Sequence, residues 1–217
     1  MKFSEFEAKV SATLADYMKK FDLNGQYMHL ALGIHEESGE VTTLIRKTAK
    51  GNYHEKQIDI VHLKEEIGDV LWYVAQISNK LPETTLKEIV ENNHKKRLEE
   101  EKNFYEETDD ISNYEKSIEL TYPKGLPHEQ NERGTYFSLG LIKAVGEVSS
   151  LFGESILGNT KINIPKMKEK MGDTLEYLTA IANTYNLSLE RISEQVLKKC
   201  SKRYDHNGIA KKDENEK

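Results

Sequence analysis

A single cysteine, Cys200, leaves no intramolecular disulfide to form and fits a reducing compartment. Prolines number only four, and none of Pro82, Pro123, Pro127 or Pro165 interrupts a strongly periodic segment, so long helices are allowed. No apolar run approaches the roughly eighteen residues that a membrane-spanning helix needs. The first residues, Met1-Lys2-Phe3-Ser4-Glu5-Phe6, lack the apolar core of a secretory signal, so the expected location is the cytoplasm. Basic residues are outnumbered, 31 to 37, for a net charge of −6, which argues against a nucleic-acid-binding face. An anionic small substrate stays open, because a bound metal supplies positive charge locally. The glycines form neither a phosphate-binding loop nor a dinucleotide fingerprint, and no His-x-x-x-His pair suggests zinc.

What is present is helical periodicity. Phe6, Val10, Leu14 and Tyr17 follow helical spacing, with Ser4 and Glu7 reading as a capping box at the start of a first helix. A break at Asn24-Gly25 precedes a second helix, from about Gln26 to Lys47. A third runs from about Glu55 to Lys80, and a fourth from Thr84 or Thr85 to about Glu101, with Leu86, Ile89, Val90 and Asn93 on one face. Residues from about Phe104 to Arg133 read as a connector containing one helix. Helices resume near Gly134–Leu157, Pro165–Tyr185 and Ser188–Tyr204, before a polar tail from Asp205 that reads as disordered. The expected class is all-α, a helical bundle.

The pattern repeats. Lys64-Glu65-Glu66-Ile67-Gly68-Asp69-Val70-Leu71 is echoed by Lys168-Glu169-Lys170-Met171-Gly172-Asp173-Thr174-Leu175. Tyr73, Ile77 and Asn79 are echoed by Tyr177, Ile181 and Asn183, Gly39-Glu40-Val41 by Gly146-Glu147-Val148, and Ser4-x-x-Glu7 by Ser112-x-x-Glu115. Two fused copies of one unit are therefore expected: residues 1–103, a connector over 104–132, a second copy over 133–204 whose first helix lies in the connector, and a tail over 205–217.

Carboxylates stand out against this background. Glu36 or Glu37 pairs with Glu40 on one helix face, and Glu66 pairs with Asp69 on the next helix. In a chain this rich in glutamate, one such pair reads most simply as a solvated face. Two pairs on consecutive helices, among Leu30, Leu32, Ile34, Val70, Leu71 and Val74, point inward instead. If the helices pack antiparallel, up to five carboxylates meet, which is unfavourable without cations. Oxygen-only ligands suit Mg²⁺ or Mn²⁺.

Glu36-Glu37-x-x-Glu40 followed by Glu66-x-x-Asp69 resembles the signature of the MazG-like, all-α nucleoside triphosphate pyrophosphohydrolases. The resemblance implies Mg²⁺ ligation by Glu37, Glu40, Glu66 and Asp69. Glu36 would then be a further ligand or would orient the attacking water. It also implies cleavage of a nucleoside triphosphate to monophosphate and pyrophosphate. An asparagine and a lysine on the following helix would lie near the phosphates: Asn93 and Lys96, with Asn92 and Lys95 as alternatives. A homodimer is the assembly the resemblance favours. The second copy departs from the signature, with Lys143, Ala144 and Lys170 where Glu36, Glu37 and Glu66 would stand, and is expected to be catalytically dead. Lys143 or Lys170 is expected to touch substrate phosphate or a retained carboxylate. The competing reading is a silent helical module that senses nucleotides or mediates assembly. Trp72 shares a helical edge with Asp69 and is open to base stacking, although packing is the simpler role; Cys200 reads as a packing residue.

Overall fold

The computed structural model describes residues 1–13, 18, 20–48, 57–101 and 109–203, with side chains up to 96 in the fourth of these segments and up to 202 in the last. Leu14, Tyr17, His54, the first residues of the connector and the tail from Asp205 lie outside the described residues. Eight helices are described: α1 (Phe3–Ser11), α2 (Leu23–Thr48), α3 (Ile60–Lys80), α4 (Leu86–Glu101), α5 (Ile111–Glu119), α6 (Gln130–Gly158), α7 (Ile164–Thr184) and α8 (Leu189–Arg203). There is no strand among the described residues. None of these helices is long and apolar enough to cross a membrane.

The starts follow local capping chemistry. The Asp59 carboxylate accepts from the backbone N–H groups of Val61 and His62 and opens α3; Asp110 accepts from Asn113 and opens α5. Asn163 accepts from Lys166, and Pro165 sits in the first turn of α7. Helix α6 ends on Asn159 in the left-handed region at φ 48°. The expected break at Asn24-Gly25 falls earlier, because Asp22 accepts from the Gly25 N–H at 2.7 Å and lets the helix start at Leu23.

The two capping boxes are corrected. The N-cap of α1 is Lys2 and that of α5 is Asp110. Ser4 bonds instead to Asp109 through its backbone N–H, at 2.9 Å, and through its hydroxyl. The two glutamates cap distant helices: Glu7 accepts from the Leu86 N–H and Glu115 from the Leu189 N–H, each at 2.9 Å. The starts of α4 and α8 are thus satisfied by carboxylates from α1 and α5. Burial pushes both carboxyls above the ordinary glutamate value.

Helices α2, α3, α6 and α7 form the centre. Helix α2 packs on α3 and α6, and α6 on α7. The α2–α6 pair is antiparallel: Ser149 donates to the Ala31 carbonyl and Asn131 to that of Thr48. Leu30, Ile34, Val41, Ile67, Val70, Leu71, Leu141, Val145, Met171 and Leu175 are buried in this seam. A fully buried Leu or Ile contributes about 1.5–3 kcal/mol, against roughly 0–1 kcal/mol for an exposed ion pair, so the apolar seams fix the arrangement.

Two glycines allow the closest contacts. A Cβ on Gly33 would lie 2.2 Å from the Tyr73 ring, and one on Gly140 would lie 2.2 Å from that of Tyr177. The outer helices cross over: α4 lies mainly on α7, and α8 mainly on α3.

Candidate metal centre

Helix α2 is held by Ile34, Ser38 and Val41, all buried, which leaves Glu37 and Glu40 on the edge that meets α3. The antiparallel pairing that sets Gly33 against Tyr73 brings Glu66 to the same place. Carboxylate oxygens of Glu37, Glu40 and Glu66 lie within 4.8 Å of one another. Glu36 is exposed one residue earlier and contributes to the same negative field.

Among the described residues no cationic side chain pairs with Glu37, Glu40 or Glu66, and their electrostatics show it. Burial, Glu40, Glu37 and Asp69 together push the Glu66 carboxyl up to about 8. Glu37 is raised by burial and then by Asp69, Glu40 and Glu36. A divalent cation would remove this repulsion, and an all-oxygen donor set suits Mg²⁺ or Mn²⁺. The residues present therefore fit such an ion on their own chemistry.

Asp69 sits beside the cluster with a partner of its own, the ammonium of Lys199 on α8. Between α3 and α8 opens a cleft of about 530 Å³, with Asp69 and Lys199 in its wall and Val61, Ile192 and Val196 among its apolar lining. Gly68 allows the approach, since a Cβ there would meet Val196 Cγ2 at 2.8 Å. Gly39, the other glycine of the acidic motifs, has nothing near its Cβ position and serves no such contact.

Asn93 and Lys96 are not brought to this cluster. Asn93 donates to Glu176 on α7 at 3.1 Å and accepts from the Tyr114 hydroxyl. Lys96 pairs with Glu169 at 3.1 Å and Asp173 at 3.6 Å, also on α7. The crossing of α4 onto α7 is the physical reason. The lysine at the acidic cluster is Lys199, which sequence reasoning missed. A signal for it existed: Leu86, Ile89, Lys95 and Lys96 recur at the same spacing as Leu189, Ile192, Lys198 and Lys199.

In the other half the corresponding place holds a cation from the chain. The Lys170 ammonium lies 3.1 Å from Glu147 and 3.3 Å from Asp173. Burial would lower it, but the two carboxylates outweigh burial and hold it above the ordinary lysine value. Trp72 faces elsewhere: its N–H donates to Thr13 at 3.0 Å and its ring packs edge-on against Tyr73.

No curated protein and no solved structure matches the chain. Residues 26–104, which carry all five carboxylates, match the family model of the MazG nucleotide pyrophosphohydrolase domain.

Proposed function

We propose that the chain is a Mg²⁺-dependent pyrophosphohydrolase that converts a nucleoside or deoxynucleoside triphosphate and water to the monophosphate and pyrophosphate. The observation that carries this reading is the convergence of Glu37, Glu40 and Glu66 within 4.8 Å, inside the segment that matches the family model. A bound divalent ion would supply charge neutralisation and water activation for an in-line displacement. Glu37, Glu40 and Glu66, with Asp69 beside them, would hold it. Glu36, exposed beside them, orients the attacking water as general base. With such an ion held by Asp69, the Lys199 ammonium, now paired with that carboxylate, would be available to substrate phosphate, which would place a group from α8 at the reaction centre.

The second half is read as a degenerate copy. Matched contacts support this: Glu7 on Leu86 with Glu115 on Leu189, Asn79 on the Glu7 carbonyl with Asn183 on that of Glu115, and Gly33 against Tyr73 with Gly140 against Tyr177. Its role is to build the bundle and to supply α8. The cellular role is clearance of unwanted nucleotides from the pool, and the assembly is a homodimer, which a sedimentation mass near that of one chain would contradict.

The test is incubation with Mg²⁺ and a panel of ribo- and deoxyribonucleoside triphosphates, with pyrophosphate scored against orthophosphate. Mg²⁺-dependent pyrophosphate release supports the reading. Orthophosphate alone, or no turnover with any nucleotide, supports the silent module instead.

A further inference from the structure

Apolar side chains left in water gather on one side of the bundle. Helix α2 turns Leu30, Ile34 and Val41 into the core and leaves Met28 and Leu32, one helical turn apart, on the opposite side. Helix α6 buries Leu141, Val145 and Val148 and leaves Leu139 and Leu157 outside. Leu157 at 90%, Leu32 at 71% and Leu139 at 70% are the most exposed large apolar side chains among the described residues. His35 and Ser149, both on the solvent side, meet at 3.1 Å across the α2–α6 seam, so the two exposed edges form one surface.

The same surface carries gaps. A Cβ on Gly39, Gly146 or Gly153 would meet nothing within 4 Å, which leaves room there for a side chain from outside. Ala31 with Ser149 and Thr48 with Asn131 fix the antiparallel register of the pair. In that register Leu139 is level with the turn of α2 that holds Gly39 and Thr43. Leu32 is level with Gly146 and Ser150, and Met28 with Gly153. Each protruding side chain thus stands level with a gap on the other helix. Glu36 and Lys143, both exposed, are level as well.

A second copy turned about a twofold axis along the seam lays its α6 over this α2 at the same level. Leu139 of the second copy then meets the gap at Gly39, Leu32 meets the gap at Gly146 of the second copy, and Glu36 faces Lys143 of the second copy. A twofold axis across the seam at the same centre would instead set Glu36 against Glu36, and like charges disfavour it. At 1.5 Å per residue and two helix widths, the face is roughly 35 Å by about 20 Å, on the order of 700 Å² per copy, close to the ~800 Å² of a standard interface.

We propose that the outer face of α2 and α6 docks a second copy of this chain about an axis along the seam, with Lys143 of each copy paired to Glu36 of the other. This rests on the homodimer reading and adds to it the face, the register and a cation that each copy lends to the rim of the other's acidic centre. Glu37 and Glu40 point toward α3 and stay uncovered. The contact is isologous, so each pairing occurs twice.

Sedimentation equilibrium on the full chain tests this, with twice the mass of one chain expected. Leu139→Asp puts a carboxylate into the apolar contact and should weaken association about 30-fold or more, the scale of losing a central anchor. Lys143→Glu sets like charges face to face and should weaken it about tenfold. Adding Glu36→Lys to Lys143→Glu exchanges the signs and should restore the wild-type mass. Leu120→Asn, an exposed leucine off this face, should change nothing. Helicity should hold throughout, because every substituted side chain is exposed. A monomeric wild-type chain would overturn both the face and the homodimer, with the pyrophosphohydrolase reading left to its own turnover test. A dimer indifferent to Leu139→Asp and Lys143→Glu would overturn the face alone. Weakening in Lys143→Glu that Glu36→Lys fails to reverse would overturn the register.

Discussion

The two halves of the molecule solve one electrostatic problem in opposite ways. Where α2 meets α3, Glu37, Glu40 and Glu66 converge with no cationic side chain of the described residues paired with them, and the Glu66 carboxyl is driven up to about 8. Where α6 meets α7, the ammonium of Lys170 stands between Glu147 and Asp173. The first arrangement is costly unless something positive enters from outside. The second is closed by its own side chain. A helical bundle tolerates either, because the apolar seams that hold its helices are separate from the charges at their edges.

The sharpest way to break this comparison is to remove acids from each half. Glu37→Ala or Glu66→Ala should cut pyrophosphate release by on the order of 100-fold or more, the scale of losing one electrostatic contact to a reacting phosphoryl group. Glu147→Ala should leave kcat/KM for the same nucleotide unchanged. Comparable losses from both halves would mean that Lys170 does not silence the second.

The matched approaches of Gly33 to Tyr73 and of Gly140 to Tyr177 predict similar packing costs. Gly33→Ala and Gly140→Ala each force a Cβ into a tyrosine ring and should each destabilise by about 1–3 kcal/mol. At roughly 2–4 °C per kcal/mol for a chain of this size, thermal melts should show similar drops. A large difference between the two would break the correspondence of the halves.

Lys170→Ala strands Glu147 and Asp173 and should cost about 1–2 kcal/mol. That is less than the loss of a fully buried pair, because Glu147 is 38% exposed. The melting temperature should fall with turnover unaffected.

The smallest effect is in pH dependence. With its carboxyl raised from the ordinary 4.5 to about 8, Glu66 keeps a proton in the folded chain that the unfolded chain has released. Its contribution is complete below pH 4.5 and is lost as pH rises through about 8. Metal-free protein should therefore melt at lower temperature at pH 8 than at pH 5, and Glu66→Gln should flatten that slope. A slope that persists in Glu66→Gln would assign it to other groups.

Much of this was legible in the chain itself. The long central helices of the described residues fall close to where apolar spacing puts them, because few prolines leave strong periodicity; α1 ends at Ser11, short of the expected Tyr17, and α3 starts at Ile60 rather than near Glu55, where the Asp59 cap sets it. Glu36, Glu37, Glu40, Glu66 and Asp69 stood out because acids recurred at helical spacing among buried apolar residues. The spacing of Asn93 and Lys96 on α4 was equally clear, but spacing along a helix does not say which neighbour that helix lies against. Helix α4 crosses to α7, so those two side chains meet Glu176, Glu169 and Asp173, while α8 brings Lys199 to Asp69. The capping boxes misled for a related reason. Glu7 and Glu115 have the composition of local caps, and buried backbone N–H groups at the distant starts of α4 and α8 claim them instead.

The most direct test of the central claim is a calorimetric Mg²⁺ titration of the intact chain beside Glu66→Ala and Glu147→Ala. The account predicts binding that disappears in Glu66→Ala and persists unchanged in Glu147→Ala. Mg²⁺ binding that survives in Glu66→Ala, or is lost in Glu147→Ala, would contradict it.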